Sequence, residues 1–152
     1  MASIVEELGD LERLQKELEY LQTHAVRVGV LGNGSTNGVS VQEYAIFNEY
    51  GTSHIPSRPF FRLSVGTQKA QNEIKEYLNA QIENIVSGGL TGQGAYDNLG
   101  TFVVQKIKKT IMNGNFAALD SKTIKIRQKQ GNNSTKPLMD THSLYNSINY
   151  EI

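Results

Sequence analysis

Apolar residues recur at helical spacing in three stretches of this chain. The first predicts a helix over residues 1–22, begun by a capping box of Ser3 and Glu6. Two longer amphipathic stretches, residues 63–85 and 96–111, predict two long helices that pack antiparallel across a glycine-rich link. The first helix carries a narrow apolar seam made of Leu11, Leu14, Leu18 and Leu21. This seam could pack on its own domain or, as in a heptad stripe, on a neighbouring subunit.

Alternating apolar and polar residues predict strands near 25–31 and 147–152, which would pair in a small antiparallel sheet. Residues 32–40 and 130–137 are rich in Gly, Asn and Ser, so we expect flexible loops there. A short helix should begin at Asp120, a good N-cap residue. Together these elements predict one domain over 1–152 with an α+β fold.

The stretch from Tyr44 to Arg62 joins an apolar helix to a rigid connector. Gly51 is expected to end the helix, because glycine adopts the left-handed backbone without a Cβ clash. Pro56 and Pro59 favour extended geometry around them, which predicts a stiff and nearly straight connector. In an extended chain Phe60 and Phe61 would point to opposite faces, one into the core and the other towards a partner.

Two segments carry a resemblance to a known family. NEYGTSHIPSRPFFR, residues 48–62, resembles the signature of tailed-bacteriophage tail-completion proteins, the small neck proteins where head and tail join. PLMDTHSLYNSINY, residues 137–150, resembles a second signature of that family, in the same order along the chain. His142 stands where the family usually has glycine, a departure that bears on whether the backbone turns tightly there.

The resemblance implies a structural virion protein without catalytic activity and without a cofactor. Its expected role is to complete the tail and enable head–tail joining, as a hexamer-type ring of identical subunits around the DNA channel. Its expected neighbours are head-completion or connector proteins and tail-terminator or tail-tube proteins, with non-specific contact to passing DNA. The expected location is the neck of the virion after assembly in the host cytoplasm, with no membrane contact.

Five residues of the first signature are candidate interface residues, in addition to the leucine seam. They are Glu49, Arg58, Phe60, Phe61 and Arg62. The planar guanidinium of arginine suits bidentate pairing with a carboxylate, either across subunits or inside one subunit. The internal alternative is a salt bridge between Glu49 and Arg62 that braces the fold.

Charge is balanced overall, with 15 basic and 15 acidic residues, but unevenly distributed. Residues 1–50 hold eight acids and three bases, and residues 101–136 hold eight bases and one acid. The candidate cationic surface within this basic section comprises Lys122, Lys125, Arg127 and Lys129. It could line a DNA channel, or the section 106–136 could form a nucleic-acid-binding module. Because interleaved aromatic residues are absent after Phe116, we favour complementarity to the acidic helix of a neighbouring subunit.

The sequence offers little that is typical of an active site. No cysteine is present, and the three histidines lack metal-ligand spacing. Asp140, His142 and Ser143 are too close in sequence for a hydrolytic triad, so Asp140 and Thr141 are interpreted as the cap of a short helix. The glycine-rich loop after residue 31 lacks the Lys-Ser/Thr pair of a phosphate site. No apolar run approaches the ~20 residues of a membrane span, and the acidic N-terminus is unlike a signal peptide, so we expect a soluble, unsecreted chain.

Overall fold

The computed structural model describes residues 3–36 and 38–152, with the Thr36 side chain left aside. Residues 1 and 2 of the predicted first helix and Asn37 of the predicted 32–40 loop lie outside the described residues. The elements in chain order are α1 (Ile4–Thr23), β1 (Arg27–Val30), β2 (Ser35–Thr36), β3 (Val39–Ser40), α2 (Val41–Tyr50), a π-helical turn (Arg62–Gly66), α3 (Gln68–Val86), α4 (Gly92–Asn113), α5 (Ser121–Lys129), α6 (Ser143–Ser147) and β4 (Ile148–Glu151).

The α+β class and the small antiparallel sheet are confirmed. Strands β1 and β4 pair antiparallel, with Arg27 opposite Glu151 and Val30 opposite Ile148. Strands β2 and β3 form a second, two-residue ladder within the segment expected to be a loop. Among the described residues, no helix combines the length and apolar character needed to cross a membrane.

Helices α3 and α4 pack antiparallel, as their sequence patterns predicted. The Tyr77 ring on α3 stacks on the Phe102 ring of α4 at 4.1 Å between centroids. One turn further along α3, Gln81 accepts a 2.8 Å hydrogen bond from Asn98. The two helices therefore run in opposite directions.

The core forms where α4 meets α2, α6 and β4. Its fully buried side chains include Phe60, Ile107, Ile111, Leu138, Leu144 and Ile148. The long helix expected to begin at residue 63 is divided instead. A first helical segment starts at Phe60 and ends in the π-helical turn, and Thr67 then caps α3 by accepting the Ala70 N–H at 3.1 Å.

Candidate functional site

The first signature segment, residues 48–62, folds back against the end of α2. Gly51 ends that helix with φ 78°, and the Thr52 N–H donates to the Ile55 carbonyl at 2.8 Å. A Cβ on Gly51 would lie 2.9 Å from the Ser57 nitrogen. Glycine is therefore needed here both for its left-handed backbone and for the close approach of the returning chain.

Arg58 connects this segment to a distant part of the chain. Its buried side chain donates from Nε to the Ala117 carbonyl at 2.8 Å and from its terminal nitrogens to Asn48 Oδ1 and the Ala118 carbonyl, each at 3.1 Å. Burial lowers the pKa of the guanidinium, although arginine remains protonated in proteins. With 4% of its surface exposed, Arg58 cannot contact a neighbouring subunit, which corrects its expected interface role.

Glu49 caps the helical segment that begins at Phe60. Its buried carboxylate accepts the N–H groups of Phe61 at 2.9 Å and Arg62 at 3.1 Å, and Arg62 Nε donates to it at 2.8 Å. The first N–H groups of a helix lack intrahelical partners, and the helix dipole favours a negative charge beside them. The internal salt bridge between Glu49 and Arg62 is therefore confirmed, and the expected interface role of the buried Glu49 is corrected.

The two phenylalanines also differ from the expectation for an extended chain. Both belong to a helical turn, and their rings meet edge to face at 6.4 Å. Phe60 is fully buried in the core, so its expected interface role is corrected, whereas Phe61 is half-buried against the same core. Arg62 keeps an exposed side chain, with its guanidinium 5.0 Å from the centre of the Tyr50 ring. Interface roles for Phe61 and Arg62 stay predictions.

The second signature segment, residues 137–150, is held by an ionic cluster. Asp140 accepts a 2.9 Å hydrogen bond from Asn132 and lies 3.3 Å from Arg127 Nε. Arg127 is buried and also donates to the Lys136 carbonyl at 2.9 Å. The expected partner-facing role of Arg127 is therefore corrected, because its guanidinium points into its own subunit.

The cap expected from Asp140 is wrong, whereas Thr141 takes the expected part, because its hydroxyl accepts the Ser143 N–H at 3.4 Å. Helix α6 begins at Ser143, and its N-cap is His142, with φ 60° and no capping bond from its side chain. The Asp140 carboxylate bonds Asn132 and faces Arg127 instead of His142, so these residues do not form the relay of a hydrolytic triad. Among the described residues, no group of three or more His, Asp or Glu side chains could hold a metal ion.

One apolar cleft, here called the α2 cleft, is lined by Ile55 of the first signature segment, by residues 138 and 140–144 of the second, and by residues of β3 and α2. Its volume is about 230 Å³. Its apolar lining includes Tyr44, Phe47, Ile55, Leu138 and Leu144, and residues 140–143 form its polar side. Burial raises the pKa of the Tyr44 hydroxyl. Small-molecule sites typically measure roughly 300–1,000 Å³, so this cleft better suits one or two apolar side chains of a partner.

The leucine seam of α1 divides between two environments. Leu14 and Leu21 are half-buried, and Arg13 beside them donates to the Ile85 carbonyl at 3.0 Å. Leu11 and Leu18 are exposed, at 62% and 39%. Part of the seam thus packs on its own domain, while the other part lies open to solvent.

The basic section is likewise divided. Lys106 forms an ion pair with Glu73, which lowers the pKa of that carboxyl, and the Lys108 ammonium lies 5.0 Å from the centre of the Tyr145 ring. The exposed cations of α5 are Lys122, Lys125 and Lys129. A cationic face therefore remains, but it is smaller than the count of basic residues suggested.

Sequence reasoning did not find the main partners in this site. Asn48 stood inside the signature without an assigned role, and Asn132 lay in a polar loop without any pattern. The carbonyls of Ala117 and Ala118 that hold Arg58 had no sequence signal, because backbone acceptors are available at every residue. Comparisons with protein-family models, curated proteins and solved structures found no match to this chain.

Proposed function

We propose that this chain is a structural protein of a tailed-phage virion, located at the neck or tail top, that completes the tail and enables head–tail joining. The observation that carries the proposal is the pair of signature-like segments, residues 48–62 and 137–150. The fold supports it in one respect, because Ile55 of the first segment and residues 138 and 140–144 of the second line the same cleft.

The arrangement of polar groups supports a structural role. The buried charged residues of the first signature are engaged with partners inside the subunit: Arg58 donates to two backbone carbonyls, and Glu49 accepts two backbone N–H groups. Exposed apolar side chains lie on α1 and α2, where other subunits or neighbouring virion proteins could cover them. We propose a hexamer-type ring around the DNA channel as the assembled form, next to connector and tail-terminator or tail-tube proteins.

The test is electron microscopy of lysates from a phage or prophage whose copy of this gene carries an early stop codon. Filled heads beside detached, finished tails are expected, and a plasmid-encoded wild-type chain should restore joined particles. Tails of irregular length would move the role to tail termination. Intact, infectious particles without the protein would refute the proposal.

The alternative function is a nucleic-acid-binding module, for which the exposed lysines of α5 are the supporting observation. Binding through phosphate contacts predicts DNA retention that falls with salt and is lost when Lys122, Lys125 and Lys129 are changed to Glu. A matched control changes three exposed lysines outside the section 106–136, Lys16, Lys69 and Lys75, to Glu. Equal loss in both variants would indicate a general charge effect instead of a site on α5.

A further inference from the structure

Helix α1 presents an apolar surface that its own subunit does not cover. Ile4, Leu8, Leu11 and Leu18, here called the outer stripe, follow one another at spacings of four, three and seven residues and so lie on one face. Their exposed fractions are 75%, 54%, 62% and 39%. A stripe of this kind, with anchors three and four residues apart, is the pattern by which a helix occupies an apolar groove.

The α2 cleft is a groove of matching chemistry on the same chain. Its lining is mainly apolar, and exposed apolar side chains continue from it along α2, with Ile46 at 55%, Phe47 at 38% and Tyr50 at 67%. The subunit therefore carries two different uncovered apolar surfaces. One is a projecting helical ridge, and the other is a concave site.

Charge distinguishes the two surfaces. Helix α1 carries six acidic and two basic residues, a balance of −4. Helix α5 carries four basic residues and no acidic residue, a balance of +4. The α5 residue Arg127 lies 3.3 Å from Asp140, which lines the cleft, so α5 packs beside the cleft. At about 100° per residue, Lys122, Lys125 and Lys129 lie roughly 140–160° around the helix from Arg127 and face solvent on the outer side of α5.

We propose that the outer stripe of α1 in one copy docks on the exposed face of α2 in the next copy and inserts one or two side chains into the α2 cleft, while the outward-facing lysines of α5 attract the acidic residues of α1 at longer range. This contact is heterologous, because it joins two different surfaces, and repetition of it yields a closed ring or an open chain of subunits. Pairing of two α1 helices is disfavoured because it brings two acidic faces together and leaves the cleft uncovered. An acidic helix is also a poor fit for an anionic membrane surface. This inference rests on the proposed function in one respect, the assembly of identical subunits into a ring.

Sedimentation velocity of the purified full chain over a range of concentrations tests the contact. We expect the wild type to associate beyond a dimer, and more weakly as salt is raised, because the charged faces are exposed. Leu11→Glu on the stripe and Phe47→Glu at the cleft should each weaken association about tenfold or more. Met112→Glu, at a residue of α4 that is 39% exposed, is the matched control and should behave as wild type.

Mixing the two interface variants gives the decisive result. Each variant retains one intact surface, so a 1:1 mixture should form a dimer and stop there. If two α1 helices paired with each other instead, Phe47→Glu alone would associate like the wild type. Mixing it with Leu11→Glu would then not restore association of Leu11→Glu. If Phe47→Glu loses its native circular dichroism, Thr141→Glu, at an exposed residue that lines the cleft, replaces it.

Two outcomes would overturn the proposed contact. One is a wild-type chain that remains monomeric up to millimolar concentration, and the other is a mixture that stays monomeric. Neither outcome bears on the head–tail role, which the stop-codon lysates test separately. If the stop-codon lysates contain detached heads and tails while the purified wild-type chain is monomeric, the proposed function is supported and this contact is refuted.

Discussion

Replacement of His142 by glycine should make the protein more stable, and more stable than replacement by alanine. His142 has φ 60° and ψ 7°, in the left-handed region that residues with a Cβ rarely adopt. Its side chain is exposed, and among the described residues no hydrogen bond holds the imidazole. The backbone, in contrast, is in use, because the His142 carbonyl accepts the Asn146 N–H at 2.9 Å. The strained conformation must therefore be kept whichever residue stands there.

The expected gain follows from two opposing contributions. A non-glycine residue in the left-handed conformation costs roughly 1–2 kcal/mol. Glycine loses about 0.5–1 kcal/mol more than alanine in backbone entropy on folding. The free energy of unfolding should therefore be about 0.5–1 kcal/mol higher for His142→Gly than for His142→Ala. For a domain of this size such a gain raises Tm by about 1–4 °C.

Urea unfolding measured by circular dichroism gives the comparison, with the midpoint and the slope fitted separately. Lys75, exposed in the interior of α3, is the control position. There glycine should be roughly 1 kcal/mol less stable than alanine, the ordinary order in a helix. If glycine is also the less stable residue at position 142, with unchanged slopes, then backbone strain at His142 does not limit stability.

Three further predictions concern the core and its margins. Arg58→Ala should lower the free energy of unfolding by about 3 kcal/mol or more in urea, because it removes three hydrogen bonds from a charged donor and leaves the buried Asn48 oxygen without that donor. Recovery of wild-type stability by Arg58→Lys would contradict the need for a planar fork. Gly100→Ala should cost about 1–3 kcal/mol, because a Cβ would overlap the Tyr150 ring, and the cost should shrink in a Tyr150→Leu background. The raised pKa of Tyr44 predicts that stability is retained below pH 10.0 and falls above it, since only the unfolded chain then loses the proton easily. Tyr44→Phe should make this alkaline loss shallower, and an unchanged profile would contradict the assignment.

Sequence patterns predicted the features that depend on neighbouring residues. Four such features are present in the structure: the helix periodicity, the capping box of Ser3 and Glu6, the glycine after α2 and the Asp120 cap. Each of them depends on residues within about one turn of the chain. The predicted pairing of β1 with β4 is also present, although it joins the two ends of the chain, because a lone strand needs a partner.

The features that were missed depend on distant segments. Arg58 reaches carbonyls 59 and 60 residues further along the chain, and no sequence pattern marks a backbone acceptor. Glu49 caps a helix that starts after an intervening loop, so its spacing to Arg62 does not match a capping box. The division of the leucine seam depends on how α1 is rotated on α3 and α4, which the spacing of leucines alone does not determine.

The location of the signature residues changes where partner recognition should be sought. Arg58, Glu49 and Phe60 belong to the first signature, and all three are buried in contacts within the subunit. Residues of this kind maintain a fold, and a fold can be shared by proteins that bind different neighbours. In the proposed assembly, recognition of a particular neighbour comes from side chains that reach solvent, such as the outer stripe of α1 and the exposed residues of α2. Substitutions there should change which subunits join while leaving unfolding unchanged, whereas substitutions in the buried signature should reduce stability first and joining only as a consequence.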